Sequence, residues 1–362
     1  MAVYKGSIYW GTIDGRLLSV DASTGTLNWE VMTVPIGENY TITGAIRIAK
    51  GNIIIVNGGA EYDARGFVTA YDAGTGEKQW RFYSVPGNPA NEDENAIHSK
   101  ARDTWTGEYW KMGGGGTVWD AIVYDPELDQ LYLGVGNGSP WDLDIRSPQG
   151  GDNWFLSSIV ALDPDDGTYK WHYQTTPGDT WDYTSTQPMI LADLTIEGQD
   201  RKVIMQAPKN GFFYVIDRTD GSFISAKPYT YANWATEIDN NGRPIEAEGA
   251  RYTDGQNRVI APGAYGGHNW HPMAFNHETG LVYIPAHMSS LAYSQNEKFS
   301  HNAVDGGGAS GTGWNVSYAH QLYRPLVMDD EAPNPYVPPI GRLVAYDSVN
   351  QKEVWSRKMT SH

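Results

Sequence analysis

The chain has 362 residues, with 43 acidic against 26 basic side chains and a formal net charge of −17. This acidity argues against nucleic acid as a partner, because contact with phosphate depends on clustered cations; it fits a solvated surface or a cationic protein partner. The absence of cysteine excludes disulfides and thiolate chemistry, and no apolar run is long enough to span a membrane. Abundant aromatic residues, glycine and proline, without long helical periodicity, predict an all-β protein.

One pattern recurs five times: a small residue, an aspartate two positions later, then in most copies a glycine and a tryptophan eight positions after the aspartate. Each copy predicts a strand, a tight turn in which the aspartate binds backbone amides, and a second strand. Such a hairpin cannot bury its own face, so copies stack on one another as in a propeller or solenoid. The copies are Ser19–Trp29, Ala70–Trp80, Ala161–Trp171, Val215–Ser225 and Ala345–Trp355.

Further strand-like segments fill the intervals, and two hairpins, at 121–134 and 273–284, lack the tryptophan. We count about five blades, complete or partial. The chain starts and ends on strand-like sequence without an apolar leader, which predicts a fragment, since propellers close on themselves. Binding residues are expected in the longer insertions. These lie at 84–116, 139–156, 226–268 and 286–338.

Uncommon local sequences stand between the repeats. They are GGAE at 58–61, GGGGTVWD at 113–120, GNGSPW at 136–141, WDY at 181–183, APKNG at 207–211 and GGHNW at 266–270. Each alone is weak, but in this order they resemble the quinoprotein alcohol dehydrogenases that depend on pyrroloquinoline quinone (PQQ), most closely the ethanol type (type II). The resemblance covers essentially the whole chain. It implies that residues 1–362 are part of an eight-bladed PQQ-binding β-propeller whose N-terminal blade and final blades are missing.

The resemblance implies a calcium ion beside the quinone, with Glu61, Asn137 and Asp182 as its protein ligands. Carboxylate and amide oxygens are the hard donors that calcium takes, and no imidazole or thiolate set competes. Members that use lanthanides carry a further aspartate two positions after the catalytic one. Thr184 stands there, so calcium is expected rather than a lanthanide.

Asp182 also matches the general base, which takes the hydroxyl proton of the alcohol while hydride passes to the quinone C5. Lys209 matches a residue that stabilises the negative charge developing on the C5 oxygen, which the ion also polarises. Asp179 is the alternative base. A solvated surface lysine is the alternative for Lys209, although its apolar flanks call for a partner.

Trp119 matches the indole on which the quinone stacks; without the resemblance, a tryptophan between blades would be the better interpretation. The remaining implied cofactor contacts are the hydroxyls of Thr43 and Thr117, the backbone of Gly59 and Ala60 beside Glu61, and Asn269 and Trp270 at the far edge of the quinone.

The chain departs from the family pattern in several places. Two adjacent cysteines, an arginine that grips the quinone and an earlier cofactor-binding glutamate would precede Met1, and any haem domain would follow His362. Asp63 stands where relatives commonly have glycine. We interpret it as a turn variant, because aspartate tolerates positive φ; the alternative is that its charge perturbs the ion site.

The predicted function is the oxidation of primary alcohols to aldehydes with PQQ and calcium, in the periplasm, with electrons passed to a cytochrome c-type acceptor. One alternative is a propeller scaffold without cofactor that serves envelope protein assembly. Another is a member of the family whose 362-residue piece is inactive by itself. A scaffold has no reason to keep the five polar and aromatic site residues together. They are Glu61, Asn137, Asp182, Lys209 and Trp119.

Overall fold

The computed structural model describes residues 1–295, 301, 324–325, 327–329, 332–334 and 340–359. Strands dominate, which confirms the predicted all-β class. The chain divides into two compact units, Met1–Gln174 with Ser300–Trp314, and Thr175–Phe299 with Asn315–His362. In the described residues the helices are α1 (His98–Arg102), α2 (Leu143–Arg146) and the 3-10 helices Ala60–Tyr62 and Tyr109–Met112. None of these has the length and apolar character needed to cross a membrane.

Three four-stranded antiparallel sheets follow one another in the first unit. The first sheet contains β1 (Ala2–Tyr4), β2 (Ser7–Gly11), β3 (Arg16–Asp21) and β4 (Leu27–Met32). The second contains β5 (Arg47–Ala49), β6 (Asn52–Val56), β7 (Phe67–Asp72) and β8 (Lys78–Tyr83). Strands β9 (Gly114–Gly115) and β12 (Gly138–Ser139) pair with each other. The third sheet contains β10 (Ile122–Asp125), β11 (Gln130–Gly134), β13 (Ser158–Leu162) and β14 (Tyr169–Gln174).

The second unit contains one four-stranded and one six-stranded sheet. One is formed by β15 (Ile190–Ile196), β16 (Gln199–Gln206), β17 (Phe212–Asp217) and β18 (Phe223–Pro228). The short strands β19 (Ala235–Ile238) and β20 (Pro244–Glu246) form a hairpin. The other sheet is built on β23 (Leu281–Tyr293), which pairs with β21 (Arg258–Ile260), β22 (Ala274–Asn276), β24 (Arg324–Pro325) and β27 (Ile340–Asp347). β28 (Lys352–Lys358) continues that sheet from β27, and β25 (Val327–Asp329) pairs with β26 (Ala332–Asn334).

Counted over the described residues, five sheets have four or more strands, which matches the predicted count of about five blades. The two hairpins without tryptophan form as predicted, through β10 with β11 and β22 with β23. The insertion predicted from residue 286 begins later, because β23 continues to Tyr293, paired with β27 and then with β21. Most of that insertion lies outside the described residues.

All five repeat copies share one local geometry. The strand register shifts just before the aspartate, between Ala70 and Tyr71 in the second copy, so a bulge precedes the turn. The Asp72 carboxylate then accepts hydrogen bonds from the amides of Gly74 and Thr75, at 2.9 and 2.8 Å. The predicted turn chemistry is therefore confirmed.

Tryptophans of the repeat join neighbouring sheets of the first unit. Trp29 Nε1 donates to the carbonyl of Ala73 at 3.1 Å, and Trp80 Nε1 donates to that of Pro164 at 3.1 Å. Each indole also lies against the glycine of the turn that it contacts. At Gly167 φ is 74°, and an added Cβ would stand 2.6 Å from the Trp80 ring. Position 167 therefore requires glycine for two reasons, the positive φ of its backbone and the close approach of the Trp80 ring.

The core of the first unit lies between its sheets. Ile54 and Val68 of the second sheet and Leu131 and Val160 of the third are at most 1% exposed. Burial of each such side chain contributes about 1.5–3 kcal/mol. The packing of sheet on sheet therefore holds the ends of the strands in place. It also holds the loops that carry the polar motifs of this unit, which are the GGAE, GGGGTVWD and GNGSPW segments.

We expect Trp80→Phe to lower the free energy of unfolding by about 1–3 kcal/mol, because it leaves the Pro164 carbonyl without this donor and opens space beside Gly167. Trp80 is 7% exposed, whereas Trp355, at the same position of the repeat, is 44% exposed. Trp355→Phe is the matched control and is expected to change stability by less than about 0.5 kcal/mol. Urea unfolding followed by circular dichroism measures both; equal losses would contradict the docking role.

Candidate functional site

Residues of two polar motifs meet at the Glu61 carboxylate in the first unit. Glu61 lies in the 3-10 helix Ala60–Tyr62, which follows Gly59 at φ 103°. Asn137 Nδ2 donates to Glu61 Oε1 at 3.1 Å, and Trp141 Nε1 donates to the same oxygen at 3.4 Å. The structure therefore brings together two of the three metal ligands that the sequence predicts.

The four-glycine motif explains how Asn137 is held. Gly113–Gly116 all have positive φ, between 70° and 81°, a conformation that only glycine adopts in succession at little cost. Gly116 N donates to the carbonyl of Asn137 at 2.8 Å, and an added Cβ at Gly115 would stand 2.5 Å from that same oxygen. Asn137 is 3% exposed, so its amide occupies a fixed position beside Glu61.

Trp119, Thr117 and Thr43 lie around the same motifs. The Thr117 carbonyl accepts from Gly136 N at 3.0 Å, and an added Cβ at Gly136 would stand 3.5 Å from Trp119 Nε1. Gly44, directly after Thr43, packs so closely that its Cβ would stand 2.5 Å from the Trp119 carbonyl. Thr117 is buried, Trp119 half-buried and Thr43 exposed. A half-buried indole beside Gly136, the residue directly before Asn137, is a suitable face for a planar cofactor.

The donor chemistry of this cluster fits calcium. Glu61 supplies carboxylate oxygens, and rotation of the Asn137 amide by 180° presents Oδ1 in the place of Nδ2. Within the part of the chain that the structure describes, no three or more histidine, cysteine or carboxylate side chains form a group able to hold a metal. The candidate ligands in this cluster are therefore one carboxylate and one amide, oxygen donors of the kind that calcium takes.

Asp63 adopts the left-handed conformation expected of a residue in place of glycine, with φ at 71°. Its Oδ2 atom lies 3.1 Å from His301 Nε2. The interpretation of Asp63 as a turn variant is consistent with this geometry, because aspartate tolerates positive φ better than most residues.

In the second unit, Lys209 Nζ donates to Asp182 Oδ2 at 2.8 Å. Lys209 is 6% and Asp182 7% exposed, so the pair is almost entirely withdrawn from solvent. A charge-assisted hydrogen bond of this kind is about twice as strong as a neutral one, whereas loss of either partner leaves a buried charge. The alternative of a solvated surface lysine is therefore wrong.

Asp182 has φ at 65°, a conformation that is uncommon for residues other than glycine. Backbone strain of this kind costs about 1–3 kcal/mol and persists only where the surroundings enforce it. Its neighbours Trp181 and Tyr183 are 0% exposed. Asp179, the alternative base, directs Oδ1 at the amides of this turn rather than outward. Strain at a buried carboxylate is typical of a functional position.

The loop that carries Asn269 and Trp270 packs on the Lys209 segment. Gly267 N donates to the Lys209 carbonyl at 2.9 Å, and Asn269 Nδ2 donates to the carbonyl of Tyr265 at 2.8 Å. Asn269 is buried, while Trp270 is 56% exposed. The structure thus places these two predicted cofactor contacts in the same part of the second unit as Lys209.

Two surface clefts of the first unit lie apart from these residues. One, of about 560 Å³, is lined by Tyr9 and Trp29 among others, and the other, of about 380 Å³, by Phe82 and Tyr169 among others. Neither is lined by a predicted site residue. They are grooves where neighbouring sheets and loops meet, and they do not compete with the polar clusters as the candidate site.

Trp141 is a member of the site to which sequence reasoning assigned no role. Its indole binds Glu61, and its carbonyl accepts from Arg146 Nη1 at 2.9 Å. The available signal was its place in the GNGSPW segment, four residues after Asn137. With 14 tryptophans in the chain, that signal did not distinguish Trp141 from those of the repeats.

Comparison with known proteins gives one family and several relatives. The family described as PQQ glucose/ethanol/alcohol dehydrogenase, β-propeller domain, matches residues 2–226 and 240–362. A quinohemoprotein alcohol dehydrogenase of Comamonas testosteroni is 52% identical over 362 residues, which cover 98% of this chain and 49% of the relative. A 1-butanol dehydrogenase (cytochrome c) of Thauera butanivorans is 45% identical over 372 residues, 100% of this chain and 51% of the relative. The chain therefore spans about half the length of these relatives.

Solved structures agree with the sequence relationship. The crystal structure of the quinohemoprotein alcohol dehydrogenase of Comamonas testosteroni has a TM-score of 0.89 at 48% identity, over 99% of this chain and 53% of that one. A europium-containing methanol dehydrogenase has a TM-score of 0.84 at 32% identity, over 99% of this chain and 61% of that one. These matches confirm the resemblance read from the motifs and the β-propeller fold class: the chain belongs to the PQQ-dependent quinohemoprotein alcohol dehydrogenase family.

Proposed function

We propose that the protein oxidises primary alcohols to aldehydes with PQQ and calcium and passes the electrons to a cytochrome c-type acceptor in the periplasm. The observation that carries the proposal is the buried pair of Asp182 and Lys209, with 2.8 Å between Oδ2 and Nζ, in a chain of this family. A relative is named 1-butanol dehydrogenase (cytochrome c), which supports both the substrate class and the acceptor.

The residues have separate tasks. When bound, PQQ would supply the hydride acceptor and calcium would supply a Lewis acid beside it. The Asp182 carboxylate takes the hydroxyl proton, so that the alcohol loses one proton and one hydride and leaves as the aldehyde. Lys209 orients that carboxylate through the 2.8 Å hydrogen bond, and its ammonium would stabilise negative charge on a quinone bound beside it. The low exposure of both side chains excludes bulk water from the proton acceptor.

Separate residues hold the cofactor and the ion in this proposal. Glu61 and Asn137 would hold calcium, with Asp182 as the further ligand that the family pattern implies. The Trp119 indole would provide the aromatic face for PQQ. The remaining cofactor contacts are Thr43, Gly59, Ala60, Thr117, Asn269 and Trp270.

Calcium is expected to support activity better than lanthanum. Thr184 occupies the position two residues after Asp182; it is 1% exposed, and its hydroxyl accepts hydrogen bonds from Thr186 and Gln187. A trivalent ion therefore gains no additional carboxylate at this position, and two carboxylates suit a divalent ion better. The experiment loads full-length protein with PQQ and either ion and follows dye reduction with ethanol. Faster turnover with lanthanum would refute the role given to Thr184.

The same assay tests the function itself. Dye reduction that requires ethanol, PQQ and a metal together supports the proposal. Binding of PQQ without any turnover, or no binding at all, would contradict it and favour the scaffold.

A further inference from the structure

The turn that carries Asp182 is fixed by a neighbouring carboxylate. Asp179 is 0% exposed, and its Oδ1 atom accepts hydrogen bonds from Trp181 N and Tyr183 N, both at 3.1 Å. These are the amides of the residues directly before and after Asp182. One carboxylate oxygen thereby ties both sides of the strained residue to the same point.

Buried hydroxyl groups bind the carbonyl side of the same turn. Tyr293 donates its hydroxyl to the Trp181 carbonyl at 2.8 Å, and Tyr252 donates to that of Thr180. Burial raises the pKa of Tyr293 well above its ordinary value, so its hydroxyl remains a donor. The turn is thus held at amides and carbonyls by groups withdrawn from solvent.

Side-chain bonds from within the turn reach the surrounding loops. Trp181 Nε1 donates to the Ala250 carbonyl at 3.1 Å, and Tyr183 donates its hydroxyl to that of Pro262 at 2.5 Å. The turn cannot relax towards negative φ at Asp182 without breaking several buried hydrogen bonds. Such over-determination is what maintains a residue in a sparsely populated conformation.

We infer that Asp179 is a positioning residue, which sets the direction of the Asp182 carboxylate towards Lys209 through the two amides that it binds. The inference rests on the proposed function in one respect, namely that Asp182 takes the proton of the alcohol. The alternative role of Asp179 is that of the base itself, and the commitment of Oδ1 to two backbone amides favours the positioning role.

Two substitutions distinguish the roles. Asp179→Asn keeps an oxygen acceptor of the same size and removes the charge, whereas Asp179→Ala removes the acceptor. For a positioning residue, we expect Asp179→Asn to retain kcat within about threefold and Asp179→Ala to lose about 100-fold in kcat with a smaller change in KM, since small misplacements cost that much. For a base, both variants lose turnover to a similar extent.

Amide hydrogen exchange and crystallography provide readouts that do not depend on turnover. In Asp179→Ala, we expect the amides of Trp181 and Tyr183 to exchange at least about tenfold faster, because their acceptor is gone. A crystal structure of that variant is expected to show Asp182 displaced from φ 65° and the 2.8 Å contact with Lys209 lengthened.

Asp239 offers a matched control in the same unit. Its Oδ1 accepts from Asn241 N at 2.9 Å and Arg243 N at 2.8 Å, the same spacing along the chain, but in an exposed turn. Asp239→Ala should accelerate exchange only at its own two amides and leave turnover unchanged.

The proposed function and the positioning role of Asp179 can fail independently. Unchanged exchange at Trp181 and Tyr183 in Asp179→Ala, or loss of turnover in Asp179→Asn as great as in Asp182→Asn, overturns the inference. If the wild-type protein shows no turnover, the proposed function fails, and exchange rates and the φ of Asp182 still decide whether Asp179 holds the turn. If Asp179→Ala does not fold, the Asn variant carries the test by its retained or lost kcat.

Discussion

Asp182→Asn is expected to remove nearly all of the proposed alcohol oxidation from the full-length protein loaded with PQQ and calcium, and to leave most of the cofactor absorbance in place. The expected loss in kcat is about 10²–10⁴-fold, the range for a proton acceptor in the transition state. Asparagine has the same shape and also tolerates φ near 65°, so the turn should persist while the amide cannot take up the hydroxyl proton. Dye reduction with ethanol and the absorption spectrum of the loaded protein measure the two effects.

The control for this variant is Asp239→Asn, which changes the same atoms in an exposed turn of the second unit. It is expected to retain wild-type kcat. If Asp182→Asn retains activity, a residue other than Asp182 is the general base. If the variant loses the cofactor spectrum together with activity, Asp182 is needed to bind the cofactor. The proposed proton transfer would then need another acceptor.

Lys209→Met leaves the Asp182 carboxylate buried without its ammonium partner and is expected to lower the free energy of unfolding by about 3–5 kcal/mol. The variant combined with Asp182→Asn should lose less than the sum of the single losses, because the second change removes the charge that the first one isolates. Urea unfolding of the four proteins, without cofactor, gives the coupling energy.

Lys202 provides the matched control for Lys209. It lies 3.9 Å from the Asp193 carboxylate in the same unit, and the two side chains are 35% and 63% exposed. Because exposed ion pairs contribute about 0–1 kcal/mol, Lys202→Met should have little effect on stability. Equal losses for the Lys202 and Lys209 variants, or additive losses in the double variant, would contradict a strong buried pair.

The repeat architecture was predictable from sequence because its determinants are local. The turn aspartates and the glycines with positive φ act within a few residues of one another, as Asp72 does with Gly76, whose φ is 75° and whose amide donates to the Asp72 carbonyl at 2.9 Å. Even where glycine is replaced, in the fifth copy, Gln351 adopts φ 52° because the turn demands it. Strand period, turn type and stacking therefore follow from the pattern alone.

The partner of each site residue was less predictable, because it depends on segments far apart in the chain. Trp141 reaches Glu61 across 80 residues, and Tyr293 reaches Trp181 across 112. Trp171 has the repeat's tryptophan position, yet it donates to the Gln130 side chain rather than to a turn carbonyl. Residue type and spacing identified the acidic and aromatic candidates, whereas tertiary packing decided what each one contacts.

The docked indoles of Trp29 and Trp80 also bear on how the first unit comes apart. Each sheet contributes its own folding free energy together with a coupling to the sheet beside it, as in a one-dimensional array. An indole that seals such a boundary raises the coupling without stabilising the interior of either sheet. If one boundary between sheets is weakened, the sheets on its two sides should unfold independently instead of together. The amides on each side would then exchange with their own characteristic rate.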